Sequence, residues 1–255
     1  MSHSVTTTFK SSFKSSLKKN LLLSALVIGA ISLSACDKNS IVTQPTTTNT
    51  NTSTSTNQPA KVETFTAESF SPAGLTLVEG KGKDYTKLAN PQPVAVAGKA
   101  EVVEFFWYGC PHCYAIEPAV KAWKKTLPAN VNFVRYHAQW NAAMQTQQRM
   151  AATVQALGKS DELDLKIFQA IQDQGKSLTS DDAVSAFMVQ NGMDKATWDT
   201  AYKGFDVNAS IVTADALFNT YQLSGVPAFI VNGKYLVQGE SVKTLKVINK
   251  LLEQK

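Results

Sequence analysis

The stretch FFWYGCPHCYAIEP, from Phe105 to Pro118, contains two of the chain's three cysteines. Only a proline and His112 separate Cys110 from Cys113. Two cysteines at this spacing can form an inert structural disulfide, supply part of a metal site, or exchange electrons with thiols of other molecules. The third cysteine lies far upstream, so we expect the pair to act without a third thiol nearby.

The hydrophobic pattern changes at the first cysteine of the pair. The run AEVVEFFWY, from Ala100 to Tyr108, is rich in β-branched and aromatic residues and predicts a buried central strand. Beyond it, apolar residues recur at helical spacing, namely Ile116, Val120, Trp123 and Leu127. The sequence therefore places Cys110 at the point where a strand has ended and a helix begins.

A helix N-terminus favours redox chemistry at Cys110. A thiolate, and not a thiol, attacks a disulfide, and the unpaired backbone N–H groups of a helix start stabilise that negative charge. Pro111 suits the first helical position because its missing N–H is not needed there. Cys113 follows one turn later, close enough to form a small disulfide. His112 can stabilise the thiolate further, through a hydrogen bond or a positive charge.

The two other uses of the pair are open but less favoured alternatives. An inert buried disulfide does not need the electropositive start of a helix. Structural zinc requires four Cys or His ligands, and without the N-terminal segment the chain offers only Cys110, Cys113, His112 and His137. We therefore predict no metal site, interpret His137 as structural, and expect no cofactor other than the Cys110–Cys113 disulfide.

Residues 1–35 have the composition of a lipoprotein signal peptide. Four lysines precede an apolar run from Leu21 to Leu33. The run is shorter than the ~20 apolar residues of a membrane-spanning helix, which disfavours a transmembrane anchor. The junction LSAC resembles a bacterial lipobox, so we predict cleavage before Cys36 and lipidation of its thiol. Ordinary cleavage that leaves Cys36 as a free thiol is the alternative.

Residues 36–64 are predicted to be the lipidated cysteine and a disordered tether. From Ser40 to Ala60 the chain is almost wholly Thr, Asn, Ser, Gln and Pro, which cannot bury enough surface to fold. The formal charge of +5 does not indicate a nucleic-acid partner, because residues 1–35 hold four of the 25 basic residues and no acidic one. Removing those four leaves 21 basic against 20 acidic residues, and we predict no nucleic-acid binding.

The rest of the chain predicts strands at both ends and helices between them. Strand-like runs occur at 75–80, 84–89, 100–108 and 131–137, and on both sides of Asn232-Gly233, a pair typical of a type I′ hairpin turn. Within 139–223 there is no such run. Helix boundaries there fall at Gly158, at Ser160, at Thr179 or Ser180, and at Asp194, with Thr179 and Asp182 spaced as a capping box. A last helix is predicted from Ser241 to Leu252.

These elements predict an α/β protein with a thioredoxin-like fold. Residues 65–138 and 224–255 supply strand, helix, strand and then strand, strand, helix. Residues 139–223 form an inserted all-helical subdomain.

The motif EFFWYGCPHCY, supported by GVPAFIVNGKY, resembles the DsbA family of periplasmic thiol:disulfide oxidoreductases, over about Leu75 to Leu252. The resemblance implies that Cys110 is the nucleophile and that Glu104, on the central strand, relays a proton to Cys113. A salt-bridged structural role is the alternative for Glu104. The resemblance also implies that Val226 and Pro227, the family's cis-proline position, bind an extended peptide.

Two features depart from the family pattern. Arg135 stands where family members often have lysine near the buried acid, and its role is left open by the sequence. Trp107 and Tyr108 make a bulkier approach to the cysteines than is usual.

The resemblance further implies a dithiol oxidase that donates its disulfide to newly exported, unfolded or reduced proteins. We expect a monomer on the periplasmic face of a bacterial membrane, anchored by lipid on Cys36 and reoxidised by a DsbB-like membrane quinone reductase. Asp37 slightly favours the inner membrane. A thiol reductase or isomerase is one alternative, although the periplasmic isomerases carry an N-terminal dimerisation domain where this chain has a tether. A peptide- or copper-binding lipoprotein without catalytic turnover is the other.

Overall fold

The structure, a computed structural model, describes residues 64–254. The predicted signal peptide, Cys36 and nearly all of the predicted tether lie outside these residues. The strands are β1 (Thr86–Lys87), β2 (Ala100–Phe106), β3 (Val131–His137), β4 (Ala228–Val231) and β5 (Tyr235–Gln238). The helices are α1 (Pro111–Lys124), α2 (Gln145–Ala156), α3 (Ser160–Gln172), α4 (Asp181–Gln190), α5 (Lys195–Tyr202), α6 (Phe205–Thr220) and α7 (Val242–Leu252).

The five strands form one mixed sheet in the order β1-β5-β4-β2-β3. Strand β2 pairs in parallel with β3 and antiparallel with β4, so it has a neighbour on each side. Six of its seven residues are buried, as the apolar run predicts. Helix α1 connects β2 to β3, and α2 to α6 lie between β3 and β4 in the chain. This order confirms the α/β, thioredoxin-like fold with a helical insertion.

The β4–β5 hairpin has the predicted turn. Asn232 and Gly233 have φ angles of 52° and 64°, and the Lys234 N–H donates to the Val231 carbonyl at 3.0 Å. Two successive positive φ angles are what a type I′ turn requires. Gly233 is needed for a second reason, because a Cβ atom there would lie 2.0 Å from the Gln92 carbonyl oxygen.

The predicted strand at 75–80 is wrong. Within it only Glu79 makes a bridge, to Tyr85, and β1 is reduced to two residues. The reason is a local turn that uses the backbone groups a strand would offer. Asp84 donates its N–H to the Val78 carbonyl at 3.1 Å, and its carboxylate accepts from the Val78 N–H at 2.9 Å.

The helix boundaries of the insertion are mostly confirmed. Asp194 caps α5, accepting from the Thr197 N–H at 2.8 Å. Ser180, and not Thr179, caps α4, so the predicted Thr179 capping box is wrong. Helix α6 is one more helix than the four predicted segments. It begins after Gly204, which has no side chain to mark a cap.

The cysteine pair lies where the insertion meets the sheet. Cys110 and Cys113 are buried in a cluster of apolar residues that also contains Tyr108, from the turn after β2, and Phe168 from α3. A second cluster packs α1 and α7 against the sheet, and includes Trp123, Phe229 and Leu245. No helix within residues 64–254 has both the length and the apolar character needed to span a bilayer.

Candidate active site

The cysteine pair begins helix α1 as the sequence predicts. Cys110 is the N-cap residue and Pro111 the first helical residue. The Cys110 sulfur accepts a hydrogen bond from the Cys113 backbone N–H at 3.4 Å, so it takes one of the donors that a helix start leaves free. Both cysteines are free thiols in this structure.

The loop before β4 supplies the other wall of the site. The Cys110 sulfur lies 3.5 Å from the Val226 carbonyl oxygen, to which it donates when it is protonated. The Val226–Pro227 peptide bond is cis, as the resemblance implies. The structure therefore brings Val226, the residue before Pro227, to the sulfur of Cys110 across 116 positions of sequence.

The two thiols have opposite proton affinities. The side-chain hydrogen bond with Cys113, the backbone N–H groups of Cys113 and His112, and the charge of His112 together lower the pKa of Cys110 to about 6, against the effect of burial. Burial, the hydrogen bond with Cys110 and the negative charge of Glu104 raise the pKa of Cys113. Cys110 is thus a thiolate at neutral pH, whereas Cys113 keeps its proton.

His112 is exposed and points to an acidic partner. Its Nδ1 pairs with the carboxylate of Glu240, which follows β5. This hydrogen bond and the negative charge of Glu240 raise the pKa of His112. The pairing favours the charged imidazolium beside the Cys110 thiolate.

Behind the pair lies a buried ionic cluster, formed by Arg135, Glu104, Glu117 and Asp164. Arg135 Nε donates to Glu104 at 2.7 Å. Its Nη2 donates to Glu117 at 2.5 Å and its Nη1 to Asp164 at 2.8 Å. The side chain of Arg135 is 11% exposed, and those of the three acids between 1% and 5%. The role that the sequence leaves open for Arg135 is therefore to hold three buried carboxylates.

The cluster is short of positive charge. Burial raises the pKa of Glu104 and of Asp164, although Arg135 opposes the shift in both. Burial also raises the pKa of Glu117, to about 7. Three carboxylates facing one guanidinium in a buried site cannot all be ionised cheaply, so the cluster retains at least one carboxyl proton near neutral pH.

Tyr108 and His137 extend the cluster as neutral groups. The Tyr108 hydroxyl donates to Asp164 at 2.7 Å, and its N–H donates to His137 Nε2 at 3.3 Å. Burial lowers the pKa of His137 to about 3, so its ring is uncharged at neutral pH. This agrees with the structural interpretation of His137.

Trp107 lies across Gly109, next to the nucleophile. A Cβ atom on Gly109 would be 2.3 Å from the Trp107 ring. The indole N–H donates to Gln147 at 3.0 Å, and the ring meets Trp140 edge to face. The bulky approach seen in the sequence is possible because the residue before Cys110 has no side chain.

Three acids that the structure places at the site were not predicted from the sequence. Glu117 and Asp164 could have been found, because each stands among inward-facing positions of its helix, beside Ile116 and Val120 in α1 and beside Leu163 and Ile167 in α3. Glu240 lies outside any periodic element and gives no such signal. Within residues 64–254 no group of three or more His, Cys, Asp or Glu side chains has the arrangement of a metal site.

Comparison with known proteins gives concordant matches. The DSBA-like thioredoxin domain matches residues 101–248. The thiol:disulfide interchange protein DsbA of Azotobacter vinelandii is 39% identical over 192 residues, which cover 74% of this chain and 88% of that protein. The crystal structure of Pseudomonas aeruginosa DsbA, 36% identical, superposes with a TM-score of 0.65 over 69% of this chain and 93% of that one. The oxidoreductase NmDsbA1 of Neisseria meningitidis, 31% identical, gives 0.63 over 69% and 93%.

Proposed function

Because the chain belongs to the DsbA-like thioredoxin domain family and is a thiol:disulfide oxidoreductase, we propose that it works as an oxidase, donating the Cys110–Cys113 disulfide to newly exported proteins. The observation that carries this proposal is the placement of the two thiols: Cys110 caps α1 and accepts the Cys113 backbone N–H, which favours its thiolate, whereas Cys113 is buried one turn further on. Stabilising the Cys110 thiolate stabilises the reduced enzyme, and a dithiol whose reduced form is favoured gives up its disulfide readily, as is established for DsbA itself.

The reaction proceeds by two thiol–disulfide exchanges. A substrate thiolate attacks the sulfur of Cys110, the Cys110–Cys113 bond breaks, and a mixed disulfide forms on Cys110. Cys113 leaves as a thiolate and takes up a proton. A second substrate thiolate attacks the substrate sulfur of the mixed disulfide and releases the Cys110 thiolate. The substrate loses two electrons and the enzyme gains them.

Glu104 supplies the proton that Cys113 needs. Its carboxyl group is buried, its pKa is raised chiefly by that burial, and when it is ionised its charge raises the pKa of Cys113. A protonated acid beside a departing thiolate can protonate it as it leaves. The ion pair with Arg135 does not remove this role, because Arg135 also compensates the charge that remains on Glu104.

Val226 and Pro227 bind the substrate backbone beside Cys110. The Val226 carbonyl oxygen lies 3.5 Å from the Cys110 sulfur. An extended peptide whose cysteine has reacted with Cys110 would lie along the same loop. Backbone contacts of this kind tolerate many sequences, which suits an enzyme for unfolded proteins.

The enzyme acts as a monomer at the periplasmic face of a bacterial membrane. Lipid on Cys36 holds it there, with the inner membrane favoured by Asp37. A DsbB-like membrane quinone reductase restores the disulfide.

Two variants test the oxidase and its nucleophile. Cys113→Ala removes the thiol that competes with the substrate for Cys110, so Cys110 should accumulate mixed disulfides with exported proteins, seen as reducible high-mass adducts on non-reducing gels. Cys110→Ala is the matched control and should give none. Adducts of equal amount in both variants would show that Cys110 is not the nucleophile. A glutathione equilibrium of the wild type that favours the disulfide as strongly as in a general reductase would rule out an oxidase.

The anchor is tested separately. Cys36→Ser should release the protein from the membrane fraction, whereas the purified domain should keep its dithiol activity. Metabolic labelling with a fatty acid should mark the wild type and not the variant. Labelling of Cys36→Ser, or membrane retention without any label, would contradict the lipid anchor.

A further inference from the structure

Asp164 belongs to the helical insertion, but its carboxylate contacts residues of the thioredoxin-like part of the chain. It lies on α3, and one of its carboxylate oxygens accepts from Arg135 Nη1 at 2.8 Å. The other accepts from the Tyr108 hydroxyl at 2.7 Å. Asp164 is 3% exposed, so both contacts are shielded from water.

Asp164 differs from the two glutamates in its donors. The side chains of Glu104 and Glu117 accept hydrogen bonds only from Arg135 among the described side chains. Asp164 has a second donor, Tyr108. All three carboxylates have a donor on each oxygen, but both donors of a glutamate belong to the shared guanidinium, whereas one donor of Asp164 is the Tyr108 hydroxyl. A carboxylate with a donor of its own depends less on the shared guanidinium to hold its negative charge. The retained proton therefore belongs to the glutamates.

The charge of Asp164 also occupies Arg135. Burial opposes the charge of Arg135, but the three carboxylates raise its pKa well above the usual range, so it stays positive. Its single charge is divided among three acids. Each additional carboxylate weakens the share that can stabilise ionised Glu104.

We propose that Asp164 is a positioning residue of the oxidase, which by competing for Arg135 keeps Glu104 protonated and ready to protonate the Cys113 thiolate. The proposal rests on the oxidase function and on the proton relay of Glu104. When the disulfide opens, the proton moves from the Glu104 carboxyl to the Cys113 sulfur. The carboxylate left behind is already in contact with Arg135, and a proton from water later restores it.

The other charged groups near Asp164 do not alter this balance. Lys124 of α1 acts on Asp164 favourably, and Asp161 on the same helix unfavourably. These two pair with each other at 2.9 Å at the surface. His137, on β3, is uncharged at neutral pH and therefore adds no charge near Asp164. The groups that set the charge of Asp164 are therefore Arg135, Tyr108 and the two glutamates.

The test is the pH profile of the first exchange, measured in single turnover between oxidised enzyme and a cysteine peptide. In the wild type the rate should fall as Glu104 loses its proton. Asp164→Asn keeps the size and an acceptor oxygen but removes the charge. That fall should then move to lower pH by about one unit or more, the usual effect of losing a nearby like charge. Asp161→Asn, on the exposed side of the same helix, should leave the profile in place.

The variant Glu104→Gln distinguishes a failure of the role of Asp164 from a failure of the proton relay by Glu104. If Glu104→Gln abolishes the fall but Asp164→Asn leaves it unmoved, the relay stands and the role of Asp164 is overturned. If Glu104→Gln keeps the wild-type profile, the relay itself is wrong. Should Asp164→Asn not fold, Tyr108→Phe removes the second donor of Asp164 and should shift the fall in the same direction by less. An unmoved profile in Tyr108→Phe would then overturn the proposal.

Discussion

Cys110 and Cys113 are identical side chains with opposite chemistry. At the N-terminus of α1, Cys110 accepts hydrogen bonds, and its pKa falls to about 6. One turn inside, Cys113 is 1% exposed, and burial raises its pKa. The direct hydrogen bond between them stabilises the thiolate of one and the thiol of the other. The hydrogen bond between the two thiols, the backbone donors at the helix start and the burial of Cys113 together divide nucleophile from proton carrier.

His112 contributes to this division mainly through its backbone. Among the groups that lower the pKa of Cys110, the backbone N–H of His112 ranks ahead of the charge of its ring. The ring is also directed to Glu240. The side chain of His112 therefore makes a smaller contribution to the lowered pKa of Cys110 than the backbone at the helix start.

His112→Ser should raise the pKa of Cys110 by less than the whole interval from about 6 to 9.0, because the backbone donors remain. The disulfide should become harder to reduce, since the thiolate of the reduced enzyme loses stabilisation. Thiolate absorbance against pH and the glutathione equilibrium measure the two effects. Glu240→Gln is the companion variant, and should lower the pKa of His112 in an NMR titration. A changed redox equilibrium with an unchanged Cys110 pKa would exclude thiolate stabilisation as the cause.

At the scale of elements, the connection from β2 to α1 shapes the entrance to the site. Trp107 packs over Gly109 and is fixed by Gln147 of α2. The connection thereby ties the nucleophile to the helical insertion. Any side chain on residue 109 would compete with the indole for the same space.

Gly109→Ala should displace Trp107 and destabilise the protein by about 1–3 kcal/mol, the usual cost of inserting a methyl group into a packed site. Urea unfolding followed by fluorescence gives the free energy. A double-mutant cycle supplies the control, because in a Trp107→Ala background the added methyl group should cost much less. Equal costs in both backgrounds would mean that Trp107 is not what Gly109 accommodates.

Elements with local signals could be predicted from the sequence, and long-range contacts could not. The apolar run of β2, the helix start at Cys110 and the Asn232-Gly233 turn depend on neighbours in the chain, and all three are confirmed. Helix α6 carries no capping side chain at its start and was not separated from the block around it. The pairing of Asp164 with Arg135 depends on how α3 packs on the sheet, which no local pattern specifies.

At the scale of the whole molecule, redox state and folding are linked through the same protons. A thiol whose pKa is lower in the folded than in the unfolded protein makes the folded state more stable as pH rises between the two pKa values. A carboxylic acid whose pKa is higher in the folded protein makes the folded state less stable as pH rises between its two values. Cys110 is the first case, and Glu117, with a pKa of about 7 against 4.5, is the second. When the disulfide forms, Cys110 and Cys113 no longer titrate, whereas Glu117 still does.

The difference in unfolding free energy between reduced and oxidised protein should therefore isolate the thiols, because Glu117 is present in both forms. Between about pH 6 and pH 9, unfolded Cys110 binds a proton that the folded thiolate lacks, so the reduced form should gain stability as pH rises. Above pH 9 the raised pKa of Cys113 should reverse the slope. Urea unfolding of both forms across this range measures the difference, and reduced Cys110→Ser should lose the rise. A difference that stays flat from pH 6 to 9 would show that the thiolate does not stabilise the fold and cannot be the source of oxidising power.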